Sequence, residues 1–499
     1  MKKNEVKIGA ILSYILIFFN AIYGLIISPY MLSTIGESEF GVYKTIGSLA
    51  TSIAVLEFGI GGTLQRYIAK FNAENDSHSS SNFSAMAIIE AVGLSIIMLI
   101  VGAVLFMTID PIYGKSFTNL ELARGKQIYI VLLIFVILHF FENVFNGIIA
   151  GYNRFIFVNS MKIVSIFLKI ILNIVLLPIW RNSLAIVLIS VIIEIITISI
   201  EILFLKIVLH HRIRLYKWEN VLFKESFIYT ILLFVQSLII QFNGNIDNMV
   251  IGAVIGTAAV TVYSFAIQIF NMYEQCATSV SGVILPTIVQ MEANGAQGSD
   301  YEKVVVKYGR IQWMILGAAL LGFISCGKEF FSVWLGNGFE DCWLLSLILM
   351  IPTTFPLIVN VCLAVLKAKN LLQFRTFVLV FSTILNGILT IVGTGIWGYW
   401  AAAAGTAISK VIGSILLMNY YYQKKLGINI FKVYAQIFHR ITFCMLVAAL
   451  VCLGLNKIIW GSWISLALKV VGFCIVYGLL MILFGLNKEE KKAFFRRKS

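Results

Sequence analysis

Fourteen predominantly apolar stretches run between residue 8 and residue 486, each long enough to cross a bilayer and separated by short polar loops. About 20 apolar residues form a helix that spans the ~30 Å hydrocarbon core. A backbone in lipid must satisfy its own hydrogen bonds, which leaves helices or closed barrels. The alternating ten-residue segments of a lipid-facing barrel are absent, and six prolines in the whole chain suit long helices. A soluble protein is about a quarter charged, whereas this chain is 12% charged and 60% hydrophobic. The expected fold class is therefore an all-α polytopic membrane protein with about fourteen transmembrane helices.

The net charge of +14 raises the question of nucleic acid. The basic residues lie in short loops between apolar stretches, which favours membrane orientation instead, and no nucleic-acid partner is expected. With a cytoplasmic N-terminus, 27 of the 38 lysines and arginines fall on the cytoplasmic side, six outside and five within spans. A miscounted span would invert every later loop, so the bias supports fourteen spans with both termini cytoplasmic. Lys2, Lys3 and Lys7 precede an apolar segment too long for the core of a cleaved signal, which is expected to remain as the first span. Cysteines such as Cys276, Cys362, Cys444 and Cys474 sit in apolar runs and suggest small core residues. A bridge between Cys326 and Cys342 is conceivable and disfavoured. No loop is long enough to fold as a catalytic domain, and there is no Gly-rich phosphate loop and no histidine pair at zinc spacing. No catalytic residue, cofactor or metal site is expected, and the protein is not expected to be an enzyme.

The segment Ile35-Gly36-Glu37-Ser38-Glu39-Phe40-Gly41-Val42-Tyr43 recurs in outline as Ile255-Gly256-Thr257-Ala258-Ala259-Val260-Thr261-Val262-Tyr263. A second echo joins Ile171-Leu172-Asn173-Ile174-Val175-Leu176 to Ile384-Leu385-Asn386-Gly387-Ile388-Leu389. Two matches in the same order, six spans apart, suggest two six-helix lobes as parallel pseudo-repeats, with two C-terminal helices added. The expected division is an N-lobe over 1–210, an inter-lobe cytoplasmic loop over 211–225, a C-lobe over 226–425, and two further spans with a basic tail over 426–499. A substrate site is expected at the interface between such lobes.

Leu32-Ser33-Thr34-Ile35-Gly36, then Phe40-Gly41-Val42-Tyr43, Leu56-Glu57-Phe58-Gly59-Ile60-Gly61 and Arg66-Tyr67, resemble the amino-terminal signature of polysaccharide (Wzx-type) flippases. Asp247 with Tyr263, Pro286 and Trp334-Leu335-Gly336 extend that likeness over most of the chain. These flippases belong to the multidrug/oligosaccharidyl-lipid/polysaccharide exporter superfamily. The resemblance implies a multi-pass protein of the bacterial cytoplasmic membrane that moves polyprenyl-diphosphate-linked oligosaccharides by alternating access, with membrane lipid and that substrate as partners. A proton or sodium ion is the implied coupling ion, and a monomer is expected. The rivals are a cation-coupled multidrug exporter, a lipid II flippase of the same fold and, less favoured, a membrane-embedded polysaccharide polymerase or ligase.

Ionisable residues inside spans are costly and are functional candidates by default. Lys162 with Glu201, and Lys169 with Glu194, match in depth across one hairpin, so structural ion pairs are expected there. Glu142 lies level with Lys162. Lys410 has no acid on either neighbouring span and is expected to face a wet cavity that receives an anion such as diphosphate, with Arg66 and Lys44 as lesser candidates. Gln236 and Asn243 share a face with Asp247, and Gln268, Asn271 and Gln275 form a polar stripe on the next span, suited to sugar hydroxyls. Glu57, Asp247 and Glu274 are the candidates for the coupling ion.

Overall fold

The computed structural model describes the whole chain except Met1, Phe58, 221–223, 225–240, 242–243, 282–283, 456–460, 489 and 492–499. Among the described residues the regular structure is helical, with no strand. Ten helices are long and apolar enough to cross a membrane, and an eleventh span arises if the pair Ile430–Phe438 and Ile441–Gly454, bent by 47°, counts as one. Three of the fourteen expected spans account for the difference. The second, expected over 40–66, is interrupted near Gly59; the seventh, over 226–254, lies largely outside the described residues; and the eighth, over 257–290, contains the polar-striped helix Thr257–Ser281.

The chain divides into two compact units, Met1–Thr261 and Val262–Ser499. The first contains α1 (Lys2–Ile22), α2 (Ser28–Ile35), α3 (Glu37–Thr51), α4 (Ile60–Ala73), α5 (Ser77–Tyr113), α6 (Asn119–Gly151), α7 (Phe155–Trp180) and α8 (Ser183–Ile207). Local sequence sets their ends. The Asp76 carboxylate accepts from Ser79 N at 2.9 Å to start α5, and Asn182 accepts from Ala185 N at 3.0 Å to start α8. Thr118 and Glu121 form a capping box at the head of α6. Large apolar side chains such as Ile97, Ile100, Val104 and Met107 on α5 stay exposed, as a lipid-facing surface requires.

Both copies of the first sequence echo use their glycine alike: Gly36 has φ +84° and Gly256 has φ +118°, each immediately before a helix. The two copies also touch. A Cβ on Gly41 would fall 2.0 Å from Thr257 O, and Thr261 Oγ1 donates to Glu37 O at 2.8 Å. A second close crossing joins α4 to α6, where a Cβ on Gly147 would lie 2.5 Å from Gly61 O and one on Gly61 would lie 2.8 Å from Asn143 O. Small residues let membrane helices meet backbone to backbone in this way.

In the second unit, buried Cys326, Ala448, Cys452, Leu466 and Phe473 make a small-residue core. All seven cysteines are free, and Cys326 lies beside Cys452 while the thiol of Cys342 donates to Val262 O. Helix Gln373–Trp397 and helix Tyr399–Lys410 are joined through Gly398, φ +62°, and the second continues as π-helical turns over Val411–Leu417.

Candidate functional site

The second expected span breaks because its residues cannot continue an α-helix through Gly59. Ser52–Glu57 tighten into a 3-10 turn, Gly59 adopts φ +69°, and α4 begins at Ile60. The break places Glu57 beside a cavity of about 420 Å³ lined by the Gly59–Gly62 stretch, Gln65, Asn143, Asn146, Lys162 and the Phe140 and Phe155 rings. Asn143 Nδ2 donates to Glu57 Oε2 at 2.9 Å. Asn146 Nδ2 donates to Glu142 Oε1 at 2.7 Å and its own Oδ1 has no hydrogen-bond partner. One carboxylate, three carboxamides and an ammonium therefore meet aromatic side chains in a single recess. Such a lining offers both donors and acceptors to a polyhydroxyl ligand.

Behind that recess lies a further group of charges, arranged otherwise than their depth suggests. His139 Nδ1 stands 3.0 Å from Glu142 Oε2 and 2.8 Å from Glu194 Oε1. The ammonium of Lys169 sits 5.5 Å from the centroid of the Phe135 ring, which stacks on His139. Glu201 is fully buried with no hydrogen-bond partner on either oxygen. The expected pairs Lys162–Glu201 and Lys169–Glu194 thus do not form. Equal depth brings two residues to one level, but α8 turns Glu194 towards α6, so His139 takes the place of Lys169. The polar stripes of α7 and α8 do meet, through Ser165 Oγ and Thr197 Oγ1 at 2.9 Å.

The other candidates of this unit are scattered. Lys44 lies over the Phe40 and Tyr43 rings at 5.2 and 5.7 Å, and Arg66 lies 5.9 Å from the Tyr67 centroid. Asp247 is buried, one residue before Asn248, whose Nδ2 donates to Ser48 Oγ at 3.2 Å. Gln236 and Asn243 lie outside the described residues.

In the second unit Lys410 is not unpaired. Its Nζ lies 2.8 Å from Glu274 Oε1 and 4.5 Å from the centroid of the Phe270 ring. The acid comes from helix Thr257–Ser281, not from a sequence neighbour, so two coupling and anion-binding candidates form one couple. Both side chains keep substantial exposure, 25% for Lys410 and 36% for Glu274. Glu274 follows Phe270 by four residues, which puts ring and carboxylate on one helix face under the ammonium. Asn386, which lies level with Lys410 by sequence, bonds elsewhere: its Oδ1 accepts from Thr406 at 3.1 Å and Thr390 at 3.3 Å. Asn271 and Gln275 are exposed and Gln268 is half-buried on the same helix as Glu274. Lys469 is fully buried against Glu329.

The residues that sequence reasoning passed over are His139, Asn143, Asn146 and Gln65. His139 and Glu142 stand three apart on one helix face, a spacing that signals a joint site.

A family model described as polysaccharide biosynthesis protein matches residues 6–292. No curated protein sequence matches the chain. Among solved structures, a lipid II flippase MurJ in an inward closed conformation aligns with a TM-score of 0.71 at 14% identity, over 95% of this chain and 98% of that one. An inward-facing multidrug resistance MATE family transporter of the MOP superfamily aligns with a TM-score of 0.62 at 15% identity, over 84% and 95%. A MOP superfamily transporter from Pyrococcus furiosus aligns with a TM-score of 0.52 at 15% identity, over 87% and 96%. At these identities the likeness is one of fold. With the family model covering more than half of its length, the chain belongs to the polysaccharide biosynthesis protein family and has the membrane-transporter fold of MurJ and MATE proteins.

Proposed function

We propose that this protein is a flippase that carries polyprenyl-diphosphate-linked oligosaccharide units across the bacterial cytoplasmic membrane by alternating access. The observation that carries the reading is the cavity in the first unit. Its carboxylate, carboxamides, lysine and phenyl rings suit sugar hydroxyls and ring faces, whereas a site for cationic drugs needs acids and aromatics without an ammonium. Lys410 serves the diphosphate. Its half-exposed couple with Glu274 can open when a phosphate oxygen competes for the ammonium, and neutralisation of Glu274 by an incoming proton would favour that exchange. Glu57 and Asp247 remain the other coupling candidates. A transporter shifts populations between inward and outward states, so net movement follows a proton or sodium gradient or removal of product outside. Fourteen spans with both termini cytoplasmic, the lobe boundaries at 210 and 425, and a monomeric state belong to the same proposal.

Flipping of a fluorescent lipid-linked oligosaccharide in proteoliposomes tests it. Wild type should flip, and Asn143→Ala and Lys410→Ala should each slow flipping by about five- to thirtyfold, the loss of about one to two kcal/mol of polar contact. Export of a cationic dye with no flipping of any polyprenyl-diphosphate lipid would replace this reading with that of a multidrug exporter.

A further inference from the structure

The charges behind the cavity are not needed to bind sugar or diphosphate, and they do not balance. Glu142, Glu194 and Glu201 are all at least 95% buried. Among the described residues no lysine or arginine lies within ion-pair distance of any of them; the one cationic group in contact is the imidazole of His139. Lys169 is engaged on Phe135, and Lys162 lines the cavity, near enough for Glu142 to feel its charge but not in contact. Glu201 stands seven residues after Glu194 on the same face of α8, and its charged neighbours are Glu142, Glu194, Lys162 and His139. Both its oxygens lack a hydrogen-bond partner. Buried carboxylates require a counter-charge or a proton, and one imidazolium neutralises one of three.

The geometry points to a divalent transition-metal site, of the Zn²⁺ class, formed by His139 Nδ1, Glu142 Oε2 and Glu194 Oε1. The three atoms lie within 4.8 Å of one another. They come from two facing helices, with His139 and Glu142 three residues apart, the arrangement by which helical bundles build metal centres from inward side chains. Three protein ligands with nitrogen and oxygen donors suit zinc, with a further position for water. The imidazole nitrogen argues against sodium or magnesium, which take oxygen ligands. Asn146 supplies the outer contact: its Nδ2 holds Glu142 Oε1 at 2.7 Å and so leaves Oε2 for the ion. Binding displaces the proton shared between the imidazole and the carboxylates to solvent, and the ion ties α6 to α8. The dication neutralises Glu142 and Glu194, and the one negative charge left, on Glu201, faces the ammonium of Lys162.

The test is a Zn²⁺ titration of the purified full chain in detergent, stripped with a chelator and read against a competing chromophoric chelator. Wild type should take one equivalent. His139→Ala and Glu194→Gln should each weaken binding by more than about 100-fold, since outer contacts alone are worth about 10–100-fold, and Asn146→Ala should fall in that outer range. His139→Cys, which replaces one zinc ligand by another, should restore binding and guards against a variant that fails only by misfolding. Absence of stoichiometric binding in wild type would assign the cluster to a protonated imidazole–carboxyl network. Retention of tight binding in both His139→Ala and Glu194→Gln would place the ion elsewhere. Either result overturns the proposal. The titration involves no transported lipid, so it stands or falls separately from the flippase reading.

Discussion

The two units treat buried charge in opposite ways. In the second, buried opposite charges come in couples: Lys469 with Glu329, both essentially inaccessible, and Arg310 with Glu490 at 2.6 Å. The couples are also well satisfied. Glu329 accepts from Ser465 Oγ at 2.8 Å and Gly461 N at 3.0 Å, and Arg310 donates to the carbonyls of Gln436, His439 and Gly485. In the first unit one imidazole touches two of three buried carboxylates, the third has no hydrogen-bond partner, and Glu57 is held by an amide. Coupled charges with complete hydrogen bonding act as fixed joints between helices, whereas a surplus of one sign is an unmet demand for a ligand. The comparison thus separates the charges that hold the fold from those free to serve function.

Removing one partner of a true couple should have the largest effect. Lys469→Met leaves Glu329 charged and buried and should cost about 3–5 kcal/mol, read as a drop in the unfolding midpoint in detergent. The double variant with Glu329→Leu should recover most of that loss; if it recovers none, the couple is not the source. Acid pH should act next, through the first unit. His211 lies outside the spans between Tyr152 Oη and Ser84 Oγ, at 2.8 and 2.9 Å, and burial pulls its pKa down to about 4. The unfolded chain, with an ordinary histidine value near 6.5, then binds the proton first. Stability should be flat above about pH 6.5 and fall by about 2–3 kcal/mol as pH drops towards 4. His211→Gln should flatten that slope in melts taken at pH 7 and pH 5.

Lys410→Ala should lower stability by less than about 1 kcal/mol, because its couple is substantially solvated, while slowing flipping as above. A large stability loss would move Lys410 into the class of joints and remove it from the transport pathway. Glu201→Gln should have the smallest effect, leaving the metal-free protein at least as stable as wild type. A loss of a kilocalorie or more on heating would mean that Glu201 has a partner and that the first unit carries no surplus.

The helical membrane fold was legible because lipid imposes one rule on every span, and each apolar run states its compliance locally. The site was legible only in part. Depth matching across a hairpin placed Lys162, Lys169, Glu194 and Glu201 in one neighbourhood, and the structure gathers them there. It could not give rotation about each helix axis, which decides that Glu194 meets His139. Lys410 looked solitary because its acid stands 136 residues earlier in the chain, on a helix that is not a sequence neighbour. The cavity beside Glu57 depends on the break at Gly59 and on two helices crossing without side chains between them. Neither feature changes the hydropathy of the segment.

That crossing has a consequence for how the protein can vary. A Cβ on Gly147 would run into the backbone of Gly61, and one on Gly61 would run into the carbonyl of Asn143, which stands one turn from Gly147 and donates to Glu57. A methyl group at either position would push α4 from α6 and lift Asn143 off the carboxylate it orients. A larger residue at either position therefore demands a new crossing of α4 and α6, and the cavity floor changes with it.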